Sequence, residues 1–144
     1  MDGKVFPVNT RILIVDDSST ARVMLKKILM DMGYQNLTFA KNGKEATALF
    51  NLQVASGEPF ELIFSDMKMP EMTGVQFLAS VRRGMDHPQT PFIMATAQGD
   101  KASIIDAIKL KVNGYMVKPI SASIVQDRME KVWKALPPNL KKTA

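Results

Sequence analysis

The sequence predicts an open α/β sandwich: one parallel sheet of five strands, covered on both faces by five helices, in a single domain. Short apolar runs alternate five times with longer stretches whose apolar residues recur at helical spacing. Three of the five runs are apolar throughout, as strands covered on both faces must be. At 144 residues and 46% hydrophobic content, the chain has material for one core and leaves no room for a second domain.

The first strand is Ile12-Leu13-Ile14-Val15, and the helix after it carries Met24, Leu25, Ile28, Leu29 and Met32 on one face. Leu37-Thr38-Phe39-Ala40 alternates in polarity, which places it at a sheet edge, and Ala46, Leu49, Phe50 and Val54 follow at helical spacing. Leu62-Ile63-Phe64 is the third strand, with Phe77, Leu78 and Val81 on its helix. Phe92-Ile93-Met94-Ala95 is the fourth, followed by Ile104, Ile105, Ile108 and Val112. Tyr115-Met116-Val117 is the fifth, and Ile124, Val125, Met129, Val132 and Leu136 complete the pattern. Residues 18–20, Thr73 and Ser121 are candidate N-caps, Gly33 and Gly114 candidate helix stops, and Pro137-Pro138 ends the last helix. Strict alternation of strand and helix implies right-handed crossovers between parallel strands.

Composition excludes several classes of function. No cysteine is present, so disulfides and thiolate-held metals are absent. No run is long enough to span a bilayer, and residues 1–10 lack the pattern of a secretory signal, so a cytoplasmic protein without membrane insertion is expected. Residues 1–96 hold 10 basic and 10 acidic side chains and residues 97–144 hold 9 and 4, which puts the net charge of +5 in the C-terminal third. No basic run is interleaved with aromatics, so nucleic acid is not an expected partner. The expected organisation is an N-terminal extension over 1–9, the domain over 10–136 and a tail over 137–144.

In such a sheet, ligands bind outside the carboxyl ends of the strands, where the strand order reverses. Asp16 and Asp17 follow the first strand, Ser65 and Asp66 close the third, Thr96 and Ala97 follow the fourth, and Lys118-Pro119 follows the fifth. Three carboxylates would then share one rim, and two unit charges about 4 Å apart repel by about 4 kcal/mol at an effective dielectric near 20. A raised carboxylate pKa, a cation or both must compensate, and an all-oxygen site open to water suits Mg2+. A carboxylate beside such an ion and an ammonium is suited to accept a phosphoryl group. Taken singly, each position has an ordinary reading: Asp16-Asp17 before 18–20 as helix capping, Asp66 as a turn residue before Pro70, Lys118-Pro119 as a plain strand exit. It is their occurrence at successive strand ends that points to a site.

The segments Ile12-Leu13-Ile14-Val15-Asp16-Asp17-Ser18, Ser65-Asp66-Met67-Lys68-Met69-Pro70-Glu71-Met72-Thr73-Gly74, Met94-Ala95-Thr96-Ala97 and Gly114-Tyr115-Met116-Val117-Lys118-Pro119 resemble bacterial response-regulator receiver domains, in particular the CheY-like, chemotaxis-type single-domain members. The resemblance spans about Thr10 to Leu136 and implies a doubly wound, flavodoxin/CheY-like sheet of order 2-1-3-4-5. It further implies that Asp66 takes a phosphoryl group from a histidine kinase. Asp17, Asp66 and the Lys68 backbone carbonyl would ligate Mg2+, with Asp16 acting mainly through water. Lys118, the Thr96 hydroxyl and the Ala97 N–H would hold the phosphoryl oxygens, and Thr96 with Tyr115 would form the switch. The expected output is a changed surface over the fourth helix, fifth strand and fifth helix that binds a downstream protein, with a phosphatase as a further possible partner.

Lys68 and Gln98 stand two residues beyond Asp66 and Thr96, where the resemblance places the tuning of phosphoryl lifetime. A lysine at 68 would shield the phosphoryl group or pair with Glu71, and slow self-dephosphorylation follows. Lys101, Lys109, Lys111, Lys131 and Lys134 make an acidic target a natural expectation, and Trp133 is read either as a partner anchor or as packing. The methionines near Asp66, Met67, Met69 and Met72, are read as packing. The expected role is a switch and not an enzyme with turnover, with a phosphorelay intermediate as an alternative. A haloacid-dehalogenase-type phosphohydrolase ranks far below, because the second aspartate it needs is replaced by Lys68 and no cap domain is available. A flavodoxin-like nucleotide binder is disfavoured because Asp16 and Asp17 would repel its phosphate.

Overall fold

The strands Ile12–Val15 (β1), Leu37–Ala40 (β2), Leu62–Asp66 (β3), Phe92–Thr96 (β4) and Gly114–Val117 (β5) pair in parallel in the order β2-β1-β3-β4-β5. This computed structural model describes residues 5–84 and 86–141. The outer ends of the expected extension and tail, 1–4 and 142–144, lie outside the described residues. Between the strands run α1 (Ser19–Asp31), α2 (Gly43–Ala55), α3 (Gly74–Arg83), α4 (Lys101–Lys109) and α5 (Ala122–Ala135).

Alternating side chains of each central strand enter two separate cores, as a pleated strand covered on both faces requires. Ile12, Ile14, Leu62, Phe64, Ile93 and Ala95 pack with Leu25 and Leu29 of α1 and Val125, Met129 and Val132 of α5. Leu13, Val15, Ile63, Phe92 and Met94 pack with Ala46 and Phe50 of α2, Phe77, Leu78 and Val81 of α3, and Ala107 of α4. Helices thus change face at β1 and β3, the point where chain order reverses. The expected edge position of 37–40 holds, since β2 ends the strand order and, among the described residues, pairs with β1 alone.

Local chemistry explains most helix boundaries. The side chains of Ser18, Asn42, Thr73 and Ser121 accept from backbone N–H groups in the first turns of α1, α2, α3 and α5, and Thr73 with Gln76 forms a reciprocal capping box. Gly33, with φ +103°, follows the end of α1 in the left-handed conformation expected of a helix stop.

Two expectations need correction. Gly114 does not stop a helix: α4 ends at Lys109, Lys111 takes the positive φ of +62°, and Gly114 already belongs to β5. A Cβ at Gly114 would stand 3.1 Å from Val132 Cγ2, so its smallness serves the packing of α5. Ile105 and Ile108 are 53% and 56% exposed, because α4 is short and buries Ala107 as its inner residue. Of the two readings of Trp133, packing holds: it is 5% exposed, with its ring 5.0 Å from that of Phe6. Phe6 is itself 3% exposed, so residues just before the expected domain start contribute to its core. After Pro137, a turn of 3₁₀ helix over Pro138–Leu140 brings Leu140 against the same cluster.

Candidate functional site

The sheet register sets the site. Val15 is level with Ser65, and Asp66 with Ala95, so Asp16 and Asp17 leave β1 beside the residue that ends β3. The Ser18 N–H donates to Asp16 Oδ1 at 2.9 Å and Arg22 donates to the Asp16 carbonyl at 2.6 Å, which fixes the turn between β1 and α1. On the far side of Asp66, the Gly74 N–H donates to the Met67 carbonyl at 2.8 Å. A Cβ at Gly74 would lie 2.2 Å from the Asp66 carbonyl oxygen, so only glycine lets α3 start this close to the strand end.

These constraints bring together one carboxylate oxygen from each of Asp16, Asp17 and Asp66, all within 4.8 Å of one another. Lys118, which directly follows β5, places Nζ 3.0 Å from Asp66 Oδ1 and 3.4 Å from Asp16 Oδ2. Asp17 is exposed while Asp66 is 9% exposed, so the cluster has one face to water and one to protein. Burial raises the Asp66 pKa above its ordinary value; the hydrogen bond from Lys118 opposes this, and the charges of Asp16 and Asp17 reinforce it. Burial works against the Lys118 ammonium, but the hydrogen bonds and charges of Asp66 and Asp16 carry its pKa upward overall. Lys118 therefore remains a cation, and one cation faces three acids.

The donor set fits a hard divalent cation. All ligand atoms are carboxylate oxygens, one acid is open to water, and the negative charge exceeds what Lys118 neutralises. Arrangements of this kind bind a metal and favour whatever reduces the repulsion at Asp66.

The remaining predicted residues fall into place unevenly. Beside Asp66 and Lys118 opens a cavity of about 480 Å³ whose walls include Ala97 and Gln98, with Ile14, Leu25, Phe64 and Met116 giving it an apolar floor. Thr96 is wholly buried, its hydroxyl donates to the Ala97 carbonyl at 3.3 Å, and it makes no side-chain hydrogen bond to Asp66 or Lys118. Tyr115 faces outward on the edge strand, 39% exposed. Lys68 does not pair with Glu71, which lies 3.8 Å from Lys44 instead; Lys68 Nζ is 3.8 Å from Asp100 Oδ2. Asp100 escaped the sequence reading because an acid directly ahead of a helix reads as an N-cap, a role its side chain does not perform.

Comparison with known proteins agrees with this geometry. The family model described as response regulator receiver domain matches residues 12–130. The chemotaxis protein CheY of Pseudomonas aeruginosa is 37% identical over 123 residues, 85% of this chain and 95% of that protein. CheY-3 of Vibrio cholerae is 34% identical over 128 residues, 89% of this chain and 95% of that one. Among solved structures, the chemotaxis response regulator CheY4 of Vibrio cholerae superposes with a TM-score of 0.74 at 31% identity, covering 86% of this chain and 98% of its own. The acids, the lysine and the strand order that hold them are those of a phosphorylation-activated signalling domain, and the chain belongs to the response regulator receiver family.

Proposed function

We propose that Asp66 is the phosphoacceptor of a chemotaxis switch, taking its phosphoryl group from a histidine kinase with Mg2+ in the acidic cluster. The observation that carries this reading is the convergence of Asp66 with a lysine ammonium at 3.0 Å and two further acids within 4.8 Å. The bond from phosphorus to the donor's imidazole nitrogen breaks, its electron pair returns to that nitrogen, and an Asp66 oxygen forms the new bond to phosphorus. Lys118 is already hydrogen-bonded to the accepting carboxylate and follows the charge as it spreads onto the phosphoryl oxygens. Asp17, Asp66 and the Lys68 carbonyl would hold Mg2+, with Asp16 contributing through water, and the bound ion supplies further charge stabilisation to the transferring oxygens. The Ala97 N–H and the Thr96 hydroxyl are the remaining phosphoryl ligands, and Thr96 must turn from the Ala97 carbonyl to serve.

The output surface is the face of α4, β5 and α5, where Ile105, Ile108, Tyr115 and Val117 are exposed together with Lys101 and Lys109. Such a face suits an acidic partner segment with apolar anchors. Lys131 is a weaker contributor, since Asp127 lies 3.2 Å from it. The names of the relatives support a place in chemotaxis, a phosphatase is the natural partner that resets the switch, and the expected site of action is the cytoplasm. Within the described residues no helix is long and apolar enough to cross a membrane.

Acetyl phosphate tests the reading without knowledge of the kinase. One phosphoryl group on Asp66, found by mass spectrometry only with Mg2+ and lost in Asp66→Asn, is the expected result. Label at another residue, or equal labelling without Mg2+, overturns it.

A further inference from the structure

Asp100 sits at the N-cap position of α4 but does not cap it: its φ and ψ are −86° and 65°, and its side chain accepts no hydrogen bond from the helix. Instead the carboxylate turns inward. Its side chain is 13% exposed, and Oδ2 is buried without a hydrogen-bond partner. The cation facing it is Lys68, at 3.8 Å, too long for a hydrogen bond and close enough for charge attraction. Lys68 is 73% exposed on a flexible stem, so this ammonium is free to exchange partners.

We propose that Asp100 is a positioning residue for the phosphoryl site, acting by competing with phospho-Asp66 for the Lys68 ammonium. This rests on the phosphoacceptor reading of Asp66 given above. Lys68 stands two residues beyond Asp66, and phosphorylation there turns a carboxylate of one negative charge into an acyl phosphate that carries up to about two. With Lys68 on Asp100, the group loses a shield against water. Water then adds its oxygen to phosphorus, the bond from phosphorus to Asp66 breaks, and the carboxylate returns as inorganic phosphate leaves with the water's protons shared with solvent. With Lys68 on the phosphoryl group, Asp100 is left buried without a counter-charge, a costly state that ends when the turn over 97–100 carries it to water. That turn leads directly into α4, through the Lys101 N–H bond to the Gly99 carbonyl at 3.0 Å. The two ends are reciprocal: whatever weakens the hold of Asp100 on Lys68 lengthens the life of the phosphoryl group.

The variants are Lys68→Ala, Asp100→Asn and both together, measured against the parent protein with two readouts. In unmodified protein, unfolding midpoints form a double-mutant cycle. Lys68→Ala should lower the midpoint in the parent and leave it unchanged in the Asp100→Asn background; a cycle without coupling overturns the pair. After loading with acetyl phosphate and Mg2+, decay of phospho-Asp66 should slow about fivefold in Asp100→Asn. Decay should be faster than the parent's in Lys68→Ala, and the double variant should match Lys68→Ala. An unchanged lifetime in Asp100→Asn, or equal lengthening with and without Lys68, overturns the competition, since a structural role for Asp100 would not depend on Lys68. If the parent takes up no phosphoryl group, the phosphoacceptor reading falls instead, and the competition with it, while the cycle still decides whether the ion pair exists.

Discussion

The two ends of the sheet treat buried charge in opposite ways. At the amino ends, the Arg82 guanidinium donates to the carbonyls of Pro88, Thr90 and Lys111 and to Asn113 Oδ1, at 2.8 to 3.1 Å, and the same Asn113 oxygen accepts from the Phe92 N–H. Each partner of the cation is a neutral oxygen, and the network ties α3, the entry to β4 and the entry to β5 together. Burial pulls the Arg82 pKa down to about 10, and the guanidinium still carries its charge at neutral pH. The hydroxyls obey the same rule: Tyr34 donates to the Phe6 carbonyl at 2.6 Å and Thr10 to the Pro7 carbonyl at 2.5 Å. At the carboxyl ends, three acids face one lysine, and the Asp66 pKa is raised. Satisfied polar groups at one end hold the molecule together, and an unbalanced cluster at the other leaves electrostatic repulsion for a cation to relieve.

Removing the amino-end network should give the larger loss of stability. Arg82→Ala strands several carbonyl oxygens and is expected to cost about 2 to 3 kcal/mol in urea unfolding. Mg2+ binding, read from the metal's shift of the unfolding midpoint, should be unchanged. Loss of metal binding with intact stability would reverse the assignment of roles to the two ends.

A smaller effect belongs to Tyr34. Tyr34→Phe deletes one buried hydrogen bond and should cost about 1 kcal/mol at neutral pH. Burial pushes the Tyr34 pKa from 10.0 up to about 12, so the folded state holds its proton more tightly than the unfolded state does. That contribution is complete below the unfolded value and is lost as pH rises through the folded one. Between about pH 10 and 12 the parent should therefore lose stability faster than Tyr34→Phe; parallel curves of denaturation against pH would show that Tyr34 is not held neutral by burial.

The same division decides what a sequence can disclose. The central strands were legible because a strand buried on both faces must be apolar at every position, as Leu62, Ile63 and Phe64 are. The acidic cluster was legible because each member directly ends or follows a strand, and parallel pairing brings strand ends together whatever the loops do. Long-range pairs between loops carry no such periodic mark. Lys68 met Asp100 and not its neighbour Glu71, which Lys44 had claimed from α2. Helical spacing also misjudged Ile105 and Ile108, because a pattern of apolar residues marks a face without saying which protein covers it. Ile105 and Ile108 lie on the proposed output surface, beside the exposed Tyr115 and Val117.

The central claim is that the acidic rim is incomplete without a divalent cation, with Asp66 as the group that suffers most. Thermal unfolding of the parent and of Asp66→Asn, each with chelator and then across a range of Mg2+, tests it most directly. The parent should be the less stable of the two in chelator by about 2 to 4 °C, and the gap should narrow as pH falls toward the carboxylate range, because a raised pKa favours the protonated folded state. Mg2+ should raise the parent's midpoint steadily with concentration and leave that of Asp66→Asn nearly unmoved. A parent whose midpoint ignores Mg2+, or an Asp66→Asn protein that is less stable in chelator, would contradict the account.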